Sequence, residues 1–117
     1  MKKLTEVINE RVNVCLQNLN SELIYITEGG QQVGSLVLVY EEDKASIFSV
    51  EVLNKYRGKG YGKQLVENAI TRCKEKNCRS IELNTETDNT VANSLYTKLG
   101  FELKGLKHDF NNYLKSL

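Results

Sequence analysis

Apolar residues along this chain repeat first at helical spacing, then at alternate positions, then at helical spacing again. Leu4, Ile8, Val12, Cys15, Leu16 and Leu19 recur every three or four residues, which predicts a helix over residues 4–19. "ELIYITE" alternates and is β-branched, so residues 22–28 read as a strand. "EGGQQ" and "EEDK" are turns that separate it from two more strands, residues 33–40 and 45–53. Short turns between neighbouring strands predict an antiparallel meander. From about residue 60 to 76 the period lengthens. Leu65, Val66, Ala69, Ile70 and Cys73 then share one helical face, with Lys63, Glu67, Arg72 and Lys74 mostly off it.

"SIELNT", residues 80–85, follows as a strand. Two strands joined through a helix form a crossover unit, so these two should run parallel with a right-handed connection. "TDN" offers caps for a second helix over about residues 90–99, and Gly100 stands where a helix commonly ends. "FELKGL" and "FNNYLKSL" close the chain as a predicted hairpin. The fold class is α/β, more strictly α+β: a mixed, mostly antiparallel sheet with a central strand–helix–strand crossover, in a single domain over residues 1–117.

Composition narrows the function without naming it. A formal net charge of +1 gives no global pull toward nucleic acid or an anionic membrane. The longest apolar run, about residues 36–40, is far short of a membrane span, and polar residues interrupt the N-terminus too soon for a signal peptide. Cys15, Cys73 and Cys78 are odd in number and lack metal-site spacing. They read as free thiols in a reducing compartment, which makes the cytoplasm the expected location. No metal is expected.

The candidate chemistry lies between the third strand and the long helix, where Gly58, Gly60 and Gly62 alternate with Lys59 and Tyr61. The first turn of a helix presents unpaired N–H groups and the positive end of its dipole. Glycines would let a pyrophosphate lie against that backbone, and Arg57, Lys59 and Lys63 add positive charge. The dinucleotide fingerprint fails because its last glycine would fall on Lys63, and the phosphate loop fails because Gly62-Lys63 is followed by Gln64. The bland alternative is a flexible basic turn.

What fits is R-x-x-G-x-G, here Arg57-Gly58-Lys59-Gly60-Tyr61-Gly62. With it, "NTVANSLYTKLGF" matches N-x-x-A-x-x-L-Y-x-x-x-G-F at Asn89, Ala92, Leu95, Tyr96, Gly100 and Phe101. On these two motifs the chain resembles the GNAT superfamily of acyl-coenzyme A dependent N-acyltransferases. The resemblance covers about residues 22–117 and implies acetyl-CoA as co-substrate and a primary amine, on a small molecule or a peptide, as acceptor. It implies that the pantetheine arm pairs with the backbone of Val50, Glu51 and Val52, and that the pyrophosphate sits over residues 57–63. It places the proton donor for the departing thiolate at Tyr96, and a cofactor hydrogen bond at Asn89. Plain core packing for Tyr96 and a simple helix cap for Asn89 are the competing readings.

Strand alternation puts Glu51 on the face of Ile47, Ser49 and Leu53, a carboxylate among apolar neighbours beside the expected thioester. Burial there would raise its pKa toward that of a useful base. A solvated strand glutamate, with water relaying the amine proton, is the alternative. His108, the one histidine, lies near a turn and is the minor candidate. Two other classes stay open: a module that binds acyl-CoA without turnover, or whose partner completes the acceptor site, and an adaptor using "KYRGKGYGK" as a basic patch. The region before Glu22 holds one predicted helix, where the resemblance implies a strand and two helices. That shortening predicts an acceptor groove beside Glu51 that is open, or is closed by a second copy in a homodimer. The alternative is a small pocket built from the turns at residues 28–33 and 104–110.

Overall fold

The computed structural model of the protein describes residues 7–9 and 12–16 by their backbone, and residues 20–117 in full. One mixed sheet holds eight strands: β1 (Val7–Asn9), β2 (Val12–Leu16), β3 (Ser21–Glu28), β4 (Gln31–Glu41), β5 (Lys44–Val52), β6 (Ser80–Glu86), β7 (Glu102–Lys107) and β8 (Phe110–Ser116). Their order is β1-β2-β3-β4-β5-β6-β8-β7, with every neighbouring pair antiparallel except β5 and β6. Helix α1 (Tyr61–Glu75) makes the crossover from β5 to β6, and α2 (Thr90–Lys98) follows β6. The meander, the crossover and the closing hairpin expected from the sequence are all present.

The expected N-terminal helix is not. Residues 7–9 and 12–16 form strands, with Val7 opposite Val14 and Val12 opposite Ile26, and the rest of the predicted span lies outside the described residues. The segment contains Val7, Ile8, Val12 and Val14, β-branched residues that suit a strand. β3 also offers it an edge of unpaired backbone groups. Pairing with that edge satisfies backbone donors and acceptors that an isolated short helix satisfies only marginally.

Register shows which face the helices cover. Glu22, Leu38, Ile47, Leu83 and Tyr113 stand opposite one another in a row across five strands, so they share a face. Arg72 of α1 holds Glu22, and Asn93 of α2 accepts from the Tyr113 hydroxyl at 2.6 Å. Both helices therefore lie on that face. Between them and the sheet sits the core: Ile24, Ile26, Leu36, Leu38 and Ile81 from the strands, and Leu65, Val66, Ala69 and Cys73 from α1. Each large aliphatic side chain buried here stabilises the fold by about 1.5–3 kcal/mol. Glu22 is fully buried among them, tied to Arg72 and to the Tyr40 hydroxyl. Cys73 and Cys78 are buried free thiols, and burial pushes the Cys73 thiol up to about 12. The side chain of Cys15 lies outside the described residues.

Two departures from a regular sheet shape its centre. β5 and β6 are paired only from Lys44↔Ser80 to Ile47↔Leu83. Beyond that, β5 runs on beside β4 and β6 runs on beside β8, so the sheet opens between their carboxyl ends. The second departure is a bulge in β5. Ser35 pairs with Glu51 but Val37 pairs with Phe48, which leaves Ser49 and Val50 opposite Leu36 alone. Ser49 takes a left-handed backbone, φ 56°, at that point.

Candidate functional site

The bulge changes the phase of β5. Ala45 and Ile47 are buried before it, and Val50 and Val52 pack against the core after it. Val52 meets the helix face, since a Cβ on Gly34 would stand 3.4 Å from both Val52 and Leu65. Glu51 therefore points away from the helices and is exposed, as is Phe48 at 51%. The strand alternation expected from the sequence had placed Glu51 with Ile47, among apolar neighbours. One extra residue reverses that, and the burial expected of Glu51 is absent. On the open face Glu51 stands in a row with Ser35 and Tyr25, beside a second row of Phe48, Val37 and Leu23.

At the end of β5 a single turn of 3-10 helix, Asn54–Tyr56, leads into the glycine segment. Arg57 donates from Nε to the Val52 carbonyl at 3.0 Å, which folds the turn back on the strand end. Gly58 and Gly60 take left-handed conformations, φ 79° and 83°, which a side chain rarely tolerates. A Cβ at either would meet no protein atom within 4 Å. The backbone needs glycine there for its conformation, and the space over it is open. Gly60 caps α1 with no side-chain hydrogen bond to the first-turn N–H groups, and that turn carries no acidic residue. The first-turn N–H groups of Gly62 and Lys63, with the positive end of the dipole, suit an anion.

The basic side chains around this turn divide. Lys63 is exposed. Lys59 lies 3.8 Å from the Glu28 carboxylate and 5.1 Å over the Tyr56 ring. The Tyr61 side chain is buried, 1% exposed, and its hydroxyl donates to Glu28 at 2.9 Å, so only its backbone faces the cradle. Glu28, at the end of β3, thus anchors both neighbours of Gly60. Sequence reading passed over it because its partners lie some thirty positions on.

Helix α2 supplies the other side of the opening. A Cβ on Gly62 would stand 3.7 Å from Leu95, so the first turn of α1 and the middle of α2 are adjacent. Asn89 is the N-cap, its Oδ1 accepting from the Ala92 N–H at 3.1 Å. Next to Leu95, Tyr96 is 5% exposed, with its ring centroid 6.0 Å from those of Phe101 and Tyr113. Its hydroxyl has no hydrogen-bond partner among the described residues, although no fully buried side-chain polar atom lacks one. The ring is core, and the oxygen reaches accessible surface. Burial raises the Tyr96 pKa above that of an ordinary phenol, so the group is a proton donor at neutral pH. Both sequence readings of Tyr96 thus apply, to different atoms. His108 is exposed in the β7–β8 turn.

The splayed strand ends, the glycine turn and Tyr96 lie at the carboxyl ends of the parallel pair. A crossover sheet leaves its ligand crevice there. The sequence profile described as the Acetyltransferase (GNAT) family matches residues 4–101. The [ribosomal protein bS18]-alanine N-acetyltransferase of Haemophilus influenzae is 32% identical over 92 residues, spanning 79% of this chain and 60% of that protein. The crystal structure of the ribosomal-protein-S18-alanine N-acetyltransferase from Escherichia coli superposes with a TM-score of 0.81 over 86% of this chain and 71% of the other, at 20% identity. That of the Thermoplasma acidophilum PaiA N-acetyltransferase, in complex with coenzyme A, gives a TM-score of 0.80 at 22% identity, over 85% and 62% of the two chains. The chain spans between 50% and 63% of the length of the first curated relatives it matches.

Proposed function

The chain belongs to the acetyltransferase (GNAT) family, and from that premise we propose that it moves the acetyl group of acetyl-CoA to a primary amine by direct attack on the thioester. One observation carries the reading. A helix start without a side-chain cap, with a glycine cradle open to ligand, stands beside a buried phenol whose hydroxyl has no hydrogen-bond partner among the described residues. The cradle suits a pyrophosphate, with the N–H groups of Gly62 and Lys63 as donors and the Lys63 side chain as counter-charge. The unpaired edge of β5 at Val50–Val52 suits an extended pantetheine arm, added like one more strand.

In the transfer, the amine nitrogen forms a bond to the acetyl carbon and the carbon–sulfur bond breaks. Backbone N–H groups near Val52 steady the oxyanion. The thiolate takes the Tyr96 proton. A protonated amine has a pKa of about 10.4 and must first lose its proton, to Glu51 or to water. Exposed Glu51 suits a first role of attracting the cationic amine. Since the cradle and Tyr96 lie on the helix side, the acceptor enters from the open face, past Glu51 and Phe48. That face suits a peptide amine as well as a small one.

Calorimetry with acetyl-CoA, followed by turnover on a panel of peptides and polyamines, tests this. Micromolar binding with turnover, peptides serving at least as well as polyamines, is the expected result. Binding without turnover on any amine would favour a sensor module, and no binding would overturn the reading. Turnover confined to polyamines would overturn the open acceptor groove alone.

A further inference from the structure

The mechanism leaves Asn93 unused, yet this side chain makes more hydrogen bonds than any other in α2. Its Nδ2 donates to the carbonyls of Glu86 at 3.0 Å and Asn89 at 2.7 Å. Its Oδ1 accepts from Asn111 Nδ2 at 2.9 Å and from the Tyr113 hydroxyl at 2.6 Å. Four bonds use its two donors and two acceptor sites in full. They join the end of β6, the cap of α2 and the middle of β8, whose Tyr113 packs on Tyr96. Half-buried and within one helical turn of Tyr96, Asn93 locks the helix that delivers the phenol.

The bond to Tyr113 has a second effect. Tyr113 and Tyr96 are neighbouring phenols in one aromatic cluster. Asn93 captures the hydroxyl of the first, while the hydroxyl of the second has no hydrogen-bond partner among the described residues. Exchanging Asn93 for an apolar residue would release Tyr113 to seek another acceptor and would leave α2 with one anchor fewer.

We propose that Asn93 is a positioning residue for acyl transfer, acting through Tyr96. The proposal rests on the acyl-transfer reading above. A residue that works only through Tyr96 loses its effect when the Tyr96 proton is gone, so a double-mutant cycle tests it. Asn93→Ala should lower kcat about tenfold while KM for acetyl-CoA stays within about twofold. In the Tyr96→Phe background the same substitution should change kcat less than about twofold. Equal losses in both backgrounds would mean general loosening and would overturn the role, as would an unchanged kcat in Asn93→Ala. If Asn93→Ala does not fold, Tyr113→Phe removes one of the four bonds and keeps the ring. It should show the same non-additivity at about threefold, and additive losses there also overturn the role. Wild-type turnover is the control: its absence fails the acyl-transfer reading and this one together, whereas turnover with an additive cycle fails only Asn93.

Discussion

At the scale of the residue, the central question is what a buried tyrosine does. Ring burial alone would make Tyr96 a core residue, and its contacts with Phe101 and Tyr113 support that role. The hydroxyl, without a hydrogen-bond partner among the described residues, adds chemistry. Tyr96→Phe keeps the ring and removes the proton, so folding and acetyl-CoA affinity should hold while kcat falls about ten- to a hundredfold. Burial raises this pKa, so the protonated form survives upward through and beyond the ordinary phenol range of about 10. Loss of kcat through Tyr96 ionisation should therefore set in at higher pH than an ordinary phenol would give and be missing in the phenylalanine variant. Steady-state kinetics across alkaline pH checks both points. Unaltered kcat in Tyr96→Phe would reduce the residue to packing.

At the scale of the element, α1 is held to the sheet by more than its apolar stripe. Arg72 reaches across to fully buried Glu22 of β3, while Tyr40 of β4 donates to the same carboxylate. Arg72 also pairs with Glu75 on its own helix at 3.3 Å. Removing the arginine strands a buried charge. Arg72→Met should cost ~3–5 kcal/mol, read as a lower urea midpoint with an unchanged slope. A loss below about 1 kcal/mol would show that water screens the pair as it does on a surface. The ion pair spans fifty positions of chain. In sequence Arg72 looks like one more polar residue off the apolar face of α1, and Glu22 like the first residue of a strand.

At the scale of the whole molecule, the proposed ligand bridges two units that the sheet leaves apart: β5 with the glycine turn, and β6 with α2. A ligand that binds only the folded state stabilises it by mass action. Acetyl-CoA at 100 times its dissociation constant should add about 2.7 kcal/mol to the unfolding free energy. Gly60→Val puts a branched side chain into the open space over a left-handed backbone. The protein should stay folded at a cost of about 1–2 kcal/mol and lose the acetyl-CoA stabilisation at the same ligand concentration. Thermal unfolding with and without acetyl-CoA measures both. A folded valine variant with the full shift would remove this turn from the ligand site. Much of this arrangement is legible in consecutive residues. The glycine turn, the starts of α1 and α2, the antiparallel meander and the parallel crossover follow from local conformational preference and periodicity, which a short stretch of chain carries by itself. The motifs around Gly60 and Tyr96 are local in the same sense. The features that escaped depend on partners distant in the chain. Residues 7–9 and 12–16 carry a helical period, yet they are strands because β3 presents an edge to pair with. Glu51 faces the open side because β5 bulges against β4, and a bulge is a matter of register between two strands. Asn93 gains Asn111 and Tyr113 as partners because β8 returns beside β6. Hydrogen bonds and faces of that kind belong to pairs of segments, so they exist only once the sheet has closed around them.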